Sequence, residues 1–160
     1  MNKLHQILLG VLVAQLALVG VVFWPRSNSA GASGAALFPN VKAEDVQSLT
    51  VTEKTGTTAT FVRQGDKWVY PDGGNYPADS NKINTLLGKV VALKNNRLVT
   101  KTVASQAQLQ VADKDFASRL DFKTAAGQTY TLFVGSGSGG TDSHMRVGGQ
   151  NEVYLASGIS

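Results

Sequence analysis

Asp142, Ser143 and His144 stand consecutively and are the three residue types of a hydrolytic relay. Such a relay passes a proton from a serine hydroxyl to an imidazole steered by a carboxylate, so the three groups must converge on one point. Consecutive side chains of an extended segment point to opposite faces, and these three cannot converge on each other. The only other histidine, His5, lies in the N-terminal tail. The triplet therefore reads as polar loop residues.

A second candidate is Gly135-Ser136-Gly137-Ser138-Gly139-Gly140, which satisfies G-x-G-x-x-G after a predicted strand. A dinucleotide site needs a helix next, whose first amides receive the pyrophosphate, and an acidic residue about 20 positions on for the ribose. Residues 141–147 read instead as loop and strand, and the acid is missing. No Lys-Ser/Thr pair follows to make a P-loop. A hairpin loop is expected. Asp72-Gly73-Gly74-Asn75 lacks the spaced carboxylates of a calcium loop. Asp113 and Asp115 would share one face of an extended segment, where two carboxylates alone make a solvated edge. The chain has no cysteine, which excludes disulfides, thiolate metal sites and thiol nucleophiles. No catalytic, cofactor or metal residue is assigned, and the expectation is a protein that is not an enzyme.

The elements around these residues begin with residues 7–24 (ILLGVLVAQLALVGVVFW), an uncharged run with Gln15 near its centre. At 1.5 Å per residue it spans roughly 27 Å, close to the hydrocarbon thickness of a bilayer. Trp24 sits where an interfacial aromatic is favoured, and Pro25-Arg26 ends the run. Residues 1–25 are expected to be a single transmembrane anchor in the inner (cytoplasmic) membrane. The short tail before the run predicts a cytoplasmic N-terminus and an extracytoplasmic domain. Gly10, Ala14 and Ala17 form a narrow strip of small side chains along one helix face. Close backbone approach along such a strip is a usual way for helices to associate in lipid, and Gln15 gains from a hydrogen-bond partner there. These four are the helix-docking candidates, and the competing reading is that any single-span anchor tolerates them.

Residues 26–36 (RSNSAGASGAA) read as a flexible Ser/Gly/Ala linker, and 37–160 as one α+β domain of ordinary hydrophobic content. Within it, 46–52 and 58–63 read as strands around the turn Lys54-Thr55-Gly56-Thr57, with Trp68-Val69-Tyr70 as a third. Ile83, Leu86, Leu87, Val90 and Val91 recur at helical spacing after a cap at Asp79 or Ser80. Leu98-Val99 begins another strand, and a short helical turn is expected over 105–110. Leu49, Val51, Gly56, Thr58, Thr60 and Phe61 then correspond to Leu120, Phe122, Gly127, Thr129, Thr131 and Leu132 at a constant spacing, with Val153-Tyr154-Leu155 echoing the third strand. The expected architecture is two antiparallel β-meanders with an intervening helix.

The formal charge of +4 implies no polyanionic partner by itself. Between Ser80 and Ala112, however, no acid occurs, while Lys82, Lys89, Lys94, Arg97 and Lys101 do. On a tethered domain these five are the candidates for a basic surface facing anionic headgroups or an acidic subunit. Nucleic acid is not expected, because no aromatic stacking platform accompanies the charge.

Ser48-Leu49-Thr50-Val51, Trp68 shortly before Pro71, Tyr76-Pro77-Ala78-Asp79, the helix over 83–93 and Arg97-Leu98-Val99, behind an N-terminal anchor, carry a family likeness. Over roughly residues 37–134 the chain resembles the domain of unknown function 4340 family. The resemblance implies a bacterial membrane-anchored protein; family members are often much longer, with several such units, and some occur with gliding-motility or ABC-type transport components. It supplies no catalytic residues. The functional expectation is a non-enzymatic accessory or scaffolding subunit docked on a larger membrane protein complex, with no small-molecule substrate. The alternative that the resemblance implies is an auxiliary component of ABC-type transport or gliding.

Overall fold

The computed structural model describes residues 34–137, 139 and 141–159. Residues 7–24, and with them the docking candidates Gly10, Ala14, Gln15 and Ala17, lie outside the described residues. Among the described residues no helix is long and apolar enough to cross a membrane.

Among the described residues nine strands form one antiparallel sheet: β1 (Val46–Glu53), β2 (Thr58–Gln64), β3 (Lys67–Tyr70), β4 (Tyr76–Pro77), β5 (Leu98–Thr100), β6 (Ser118–Thr124), β7 (Thr129–Gly137), β8 (Asp142–Val147) and β9 (Val153–Ser157). Their order is β4-β3-β2-β1-β6-β7-β8-β9-β5. Two helices interrupt the strands, α1 (Ser80–Val91) and α2 (Val103–Gln108). The class is α+β and mostly antiparallel sheet.

Both expected meanders are present, joined side by side in one sheet through β1 and β6. Leu49 lies opposite Phe122 and Val51 opposite Leu120, with Thr50 facing Asp121 between them. The first hairpin pairs Leu49 with Phe61, and the second pairs Leu120 with Leu132, both residues moved by the same 71 positions. The repeat legible in the sequence thus has the same register in both copies, because alternation of apolar and polar residues leaves one slip-free pairing that buries the apolar set.

The third strand of the second meander differs from expectation. Met145 of β8, opposite Val134, occupies the place that Trp68, opposite Arg63, holds in the first copy. Both side chains are fully buried. Val153-Tyr154-Leu155 belongs to the next strand out. The strand expected within 141–147 is β8 and takes in Asp142-Ser143-His144, expected as loop; DSHMRV does not mark it as the third strand of the meander, because Arg146 is buried on a second face that is itself covered and the usual polar-out alternation fails there.

One face of the sheet carries Leu49, Phe122, Leu132, Met145 and Trp68 beneath Ile83, Leu87 and Val90 of α1, with Phe38 closing the end. Asp79 caps α1 by accepting from the backbone amides of Asn81 and Lys82, both at 3.1 Å. Ser80, the other cap candidate, instead accepts from the Trp68 amide at 3.0 Å, so that capping and anchoring of β3 are split between neighbours.

The opposite face divides in two. Over β7 to β9 it is covered by α2 and the segment after it, with Val111, Phe133 and Val153 as a small second core. Gly135 is required there: a Cβ would stand 2.0 Å from the Leu109 carbonyl oxygen and 2.6 Å from Val111 Cγ1. Over β1, β2 and β6 the face is a polar ladder. Thr50 and Thr60 hydroxyls meet at 3.1 Å, and Asp121 accepts from Thr131 at 2.6 Å and Arg119 Nε at 2.8 Å.

The folded domain begins before the expected boundary at Leu37. Ala36 bridges Lys94, and Asn95 donates its amide to the Ala35 carbonyl at 3.0 Å. Residues 34–36 are therefore not linker. Small side chains, which lowered their sequence signal, allow this close antiparallel contact, and Gly34 lies against the Asn96 backbone.

Candidate functional site

The sequence motifs with chemical potential are used by the fold. Of the G-x-G-x-x-G run, Gly135 to Gly137 close β7, and the element that follows is the antiparallel strand β8 and not the helix of a phosphate loop. His144 Nδ1 lies 2.8 Å from the Ser136 carbonyl oxygen. Ser143 is buried and faces the other side of β8, toward Ala156. Asp142 is held by Ser157 Oγ at 2.5 Å and Arg97 Nη1 at 2.6 Å. Asp113 pairs with Arg146, and Asp115 with Lys54 at 3.5 Å, so these two carboxylates turn to different cations. Among the described residues no group of His, Asp and Glu is arranged to hold a metal ion.

The hydrogen bond from Ser157 and then that from Arg97 hold the Asp142 carboxyl below its ordinary value of 3.8. A carboxyl whose folded value is depressed contributes stability that is complete above the unfolded value and is lost as pH falls through the folded one. Urea titrations across pH should therefore show a loss below about pH 4 that the Asp142→Asn variant lacks. Equal pH dependence in both proteins would remove Asp142 from this role. Tyr154 on the neighbouring strand is shifted the other way: burial, and secondarily the Glu152 charge, push its phenol up.

The basic candidates do not form an acid-free surface. Lys82 meets Asp79 at 3.7 Å, Arg97 meets Asp142 at 2.6 Å and Lys101 meets Glu152 at 3.6 Å. Lys89 and Lys94 make no ion pair among the described residues. The acid-free stretch of sequence is thus partly neutralised, locally by Asp79 and at long range by Asp142 of β8 and by Glu152 just before β9. Exposed lysine pairs of this kind contribute only about 0–1 kcal/mol, so Lys82 and Lys101 remain exchangeable toward an external anion.

Two open clefts border these cations. One, of about 360 Å³, is lined by Lys82, Thr85, Leu86 and Lys89 of α1 with Gly158 and Ile159. The other, of about 230 Å³, lies between Lys94, Asn96 and Arg97 and the β9 residues Leu155 to Ser157. Neither collects convergent acid–base groups.

Sequence reasoning missed what accompanies the charges. Leu98 and Val99 on β5 and Val103 opening α2 are exposed large apolar side chains, and Tyr76, on the opposite edge strand, is the other among the described residues. β5 pairs inward with β9 through Leu98–Tyr154 and Thr100–Val153, and its outer side has no strand neighbour among the described residues. The result is a sheet edge with exposed apolar side chains flanked in sequence by Lys94, Arg97 and Lys101. The sequence signal was there, as an apolar pair followed by Val103 outside any amphipathic period, but the run reads equally well as an ordinary buried strand.

The family model described as domain of unknown function (DUF4340) matches residues 68–160, from Trp68 in β3 through β9. No curated protein and no solved structure matches the chain.

Proposed function

The chain belongs to the family of the domain of unknown function (DUF4340), and from that premise, which brings no activity with it, we propose a non-enzymatic accessory subunit docked on a larger membrane protein complex. Residues 1–25 are its single transmembrane anchor in the inner membrane, with the N-terminus cytoplasmic and the α+β domain outside. The observation that carries the non-enzymatic reading is positive: Asp142, His144, Asp113 and Asp115 are each spent on a contact within the domain. These groups turn to separate partners and do not converge on one another, whereas an acid–base site needs its groups gathered around one reacting atom.

The anchor is the proposed docking element. Without a hydrophobic drive between helices in lipid, the small side chains of Gly10, Ala14 and Ala17 permit close packing, and Gln15 finds a hydrogen-bond partner on the neighbouring helix. Purification from native membranes in mild detergent through a C-terminal tag, followed by mass spectrometry, should recover partner subunits in fixed ratio. The Gly10→Leu/Ala14→Leu double variant should lose most of them while remaining in the membrane. A single chain recovered alone at native expression level would overturn the proposal.

A further inference from the structure

We propose that the free sheet edge over residues 94–103 lies against the anionic headgroup surface of the membrane that holds the chain, an inference that rests on residues 1–25 being the anchor. The first support is where the chain enters the domain. Ala36 pairs antiparallel with Lys94, and Gly34 lies against Asn96, so the chain enters the domain beside Asn96, next to β5, and from there runs away from β5 along residues 96 to 94.

The second is the length of the tether. With residues 34–36 taken into the fold, residues 26–33 remain. They reach on the order of 15 Å root-mean-square and about 27 Å when fully extended. A domain of this length has a radius of gyration of about 14 Å, so the length of the tether limits the distance of the entry point from the membrane to about the size of the domain itself.

The third is chemistry. Leu98, Val99 and Val103 are exposed on this edge, with Lys94, which has no ion pair among the described residues, and Lys101, whose exposed pair with Glu152 is exchangeable, beside them; Arg97 is held by Asp142. Apolar side chains set among basic ones suit the boundary between headgroup and acyl chain, the side chains entering while the cations meet lipid phosphates. An edge strand also carries unpaired backbone amides and carbonyls, which hydrated headgroups can satisfy without a partner strand.

The absence of cysteine allows single-site labelling of the full chain. Val99→Cys, with Val103→Cys as a second position, would carry an environment-sensitive fluorophore, and Tyr76→Cys on the opposite edge serves as reference. Each is reconstituted into phosphatidylcholine vesicles with and without phosphatidylglycerol. The expected result is flotation with the vesicles after an alkaline wash, together with a blue shift and nitroxide-lipid quenching at Val99→Cys and Val103→Cys but not at Tyr76→Cys. Both signals should be stronger with phosphatidylglycerol and weaken in a Lys94→Gln/Lys101→Gln background. Flotation with an aqueous label at all three positions overturns the inference and leaves the anchor standing. Protection in native membranes but not in protein-free vesicles overturns it in favour of a protein partner. Failure to float removes the anchor and this inference together.

Discussion

Trp68→Ala should lower the thermal midpoint of the folded domain by about 10–20 °C, corresponding to roughly 3–5 kcal/mol for a buried large-to-small change of this kind. Trp68 is fully buried, and it joins two elements. Its indole Nε1 donates to Asn84 Oδ1 of α1 at 2.9 Å, its amide donates to Ser80 Oγ at 3.0 Å, and its carbonyl accepts from the Ala78 amide at 2.8 Å. The two backbone bonds survive the substitution, so the loss isolates the side chain. Asn84→Ala removes only the partner of the indole N–H. Because Asn84 is exposed, water replaces it, and the cost should stay near 1 kcal/mol, the low end for an orphaned donor. With total stability of about 5–15 kcal/mol for an ordinary domain, the first variant should be marginal and the second well folded. Thermal melts followed by far-ultraviolet circular dichroism decide the matter. A small effect of Trp68→Ala would show that α1 does not depend on this contact.

Arg146→Ala should cost a further large amount, about 3–4 kcal/mol, by a different mechanism. The guanidinium is buried on the second face of the sheet, 4.3 Å above the Phe133 ring centroid. Nε donates to the Val111 carbonyl at 2.6 Å and Nη1 to the Gln150 carbonyl at 3.0 Å, while Nη2 pairs with Asp113. Of these partners Asp113 contributes least, because its side chain is 78% exposed and a solvent-screened pair is worth about 0–1 kcal/mol. Asp113→Ala should therefore change stability by no more than about 1 kcal/mol, and the contrast between the two variants is the test. Amide hydrogen exchange should speed up first over residues 109–117 in Arg146→Ala, since this residue pins that segment onto β7 and β8. Equal effects at Arg146 and Asp113 would mean that the ion pair, and not the buried carbonyls and ring, holds the segment.

The difference in legibility between these two residues has a physical basis. Trp68 announces itself: a large aromatic followed by a β-branched and a second aromatic residue, shortly after a Gly-Asp turn, is a core strand on local grounds. Arg146 does not, because a guanidinium is buried only where distant carbonyls and an aromatic face are assembled around it, and nothing in DSHMRV encodes Val111, Gln150 or Phe133. The same reasoning explains why β8 was hard to recognise as the counterpart of β3.

What the amino-acid order determined by itself is the local and the periodic. The helix Ser80–Val91 with its Asp79 cap follows from 3.6-residue spacing and side-chain capping. The paired hairpins with a common register follow from two-residue alternation and glycine turns. The rejection of the glycine run and of Asp142-Ser143-His144 as sites rests on the same local geometry. Only the tertiary structure decided what depends on residues far apart in the chain. It joined the meanders through β1 and β6, drew residues 34–36 into the domain beside Lys94, and set Asp142 and Glu152 against a stretch that looked uniformly basic. It also left Leu98, Val99 and Val103 exposed at a sheet edge. Local pattern records which side chains favour burial, whereas which of them are buried is decided by the area that distant strands have available to cover, and at β5 no further strand arrives among the described residues.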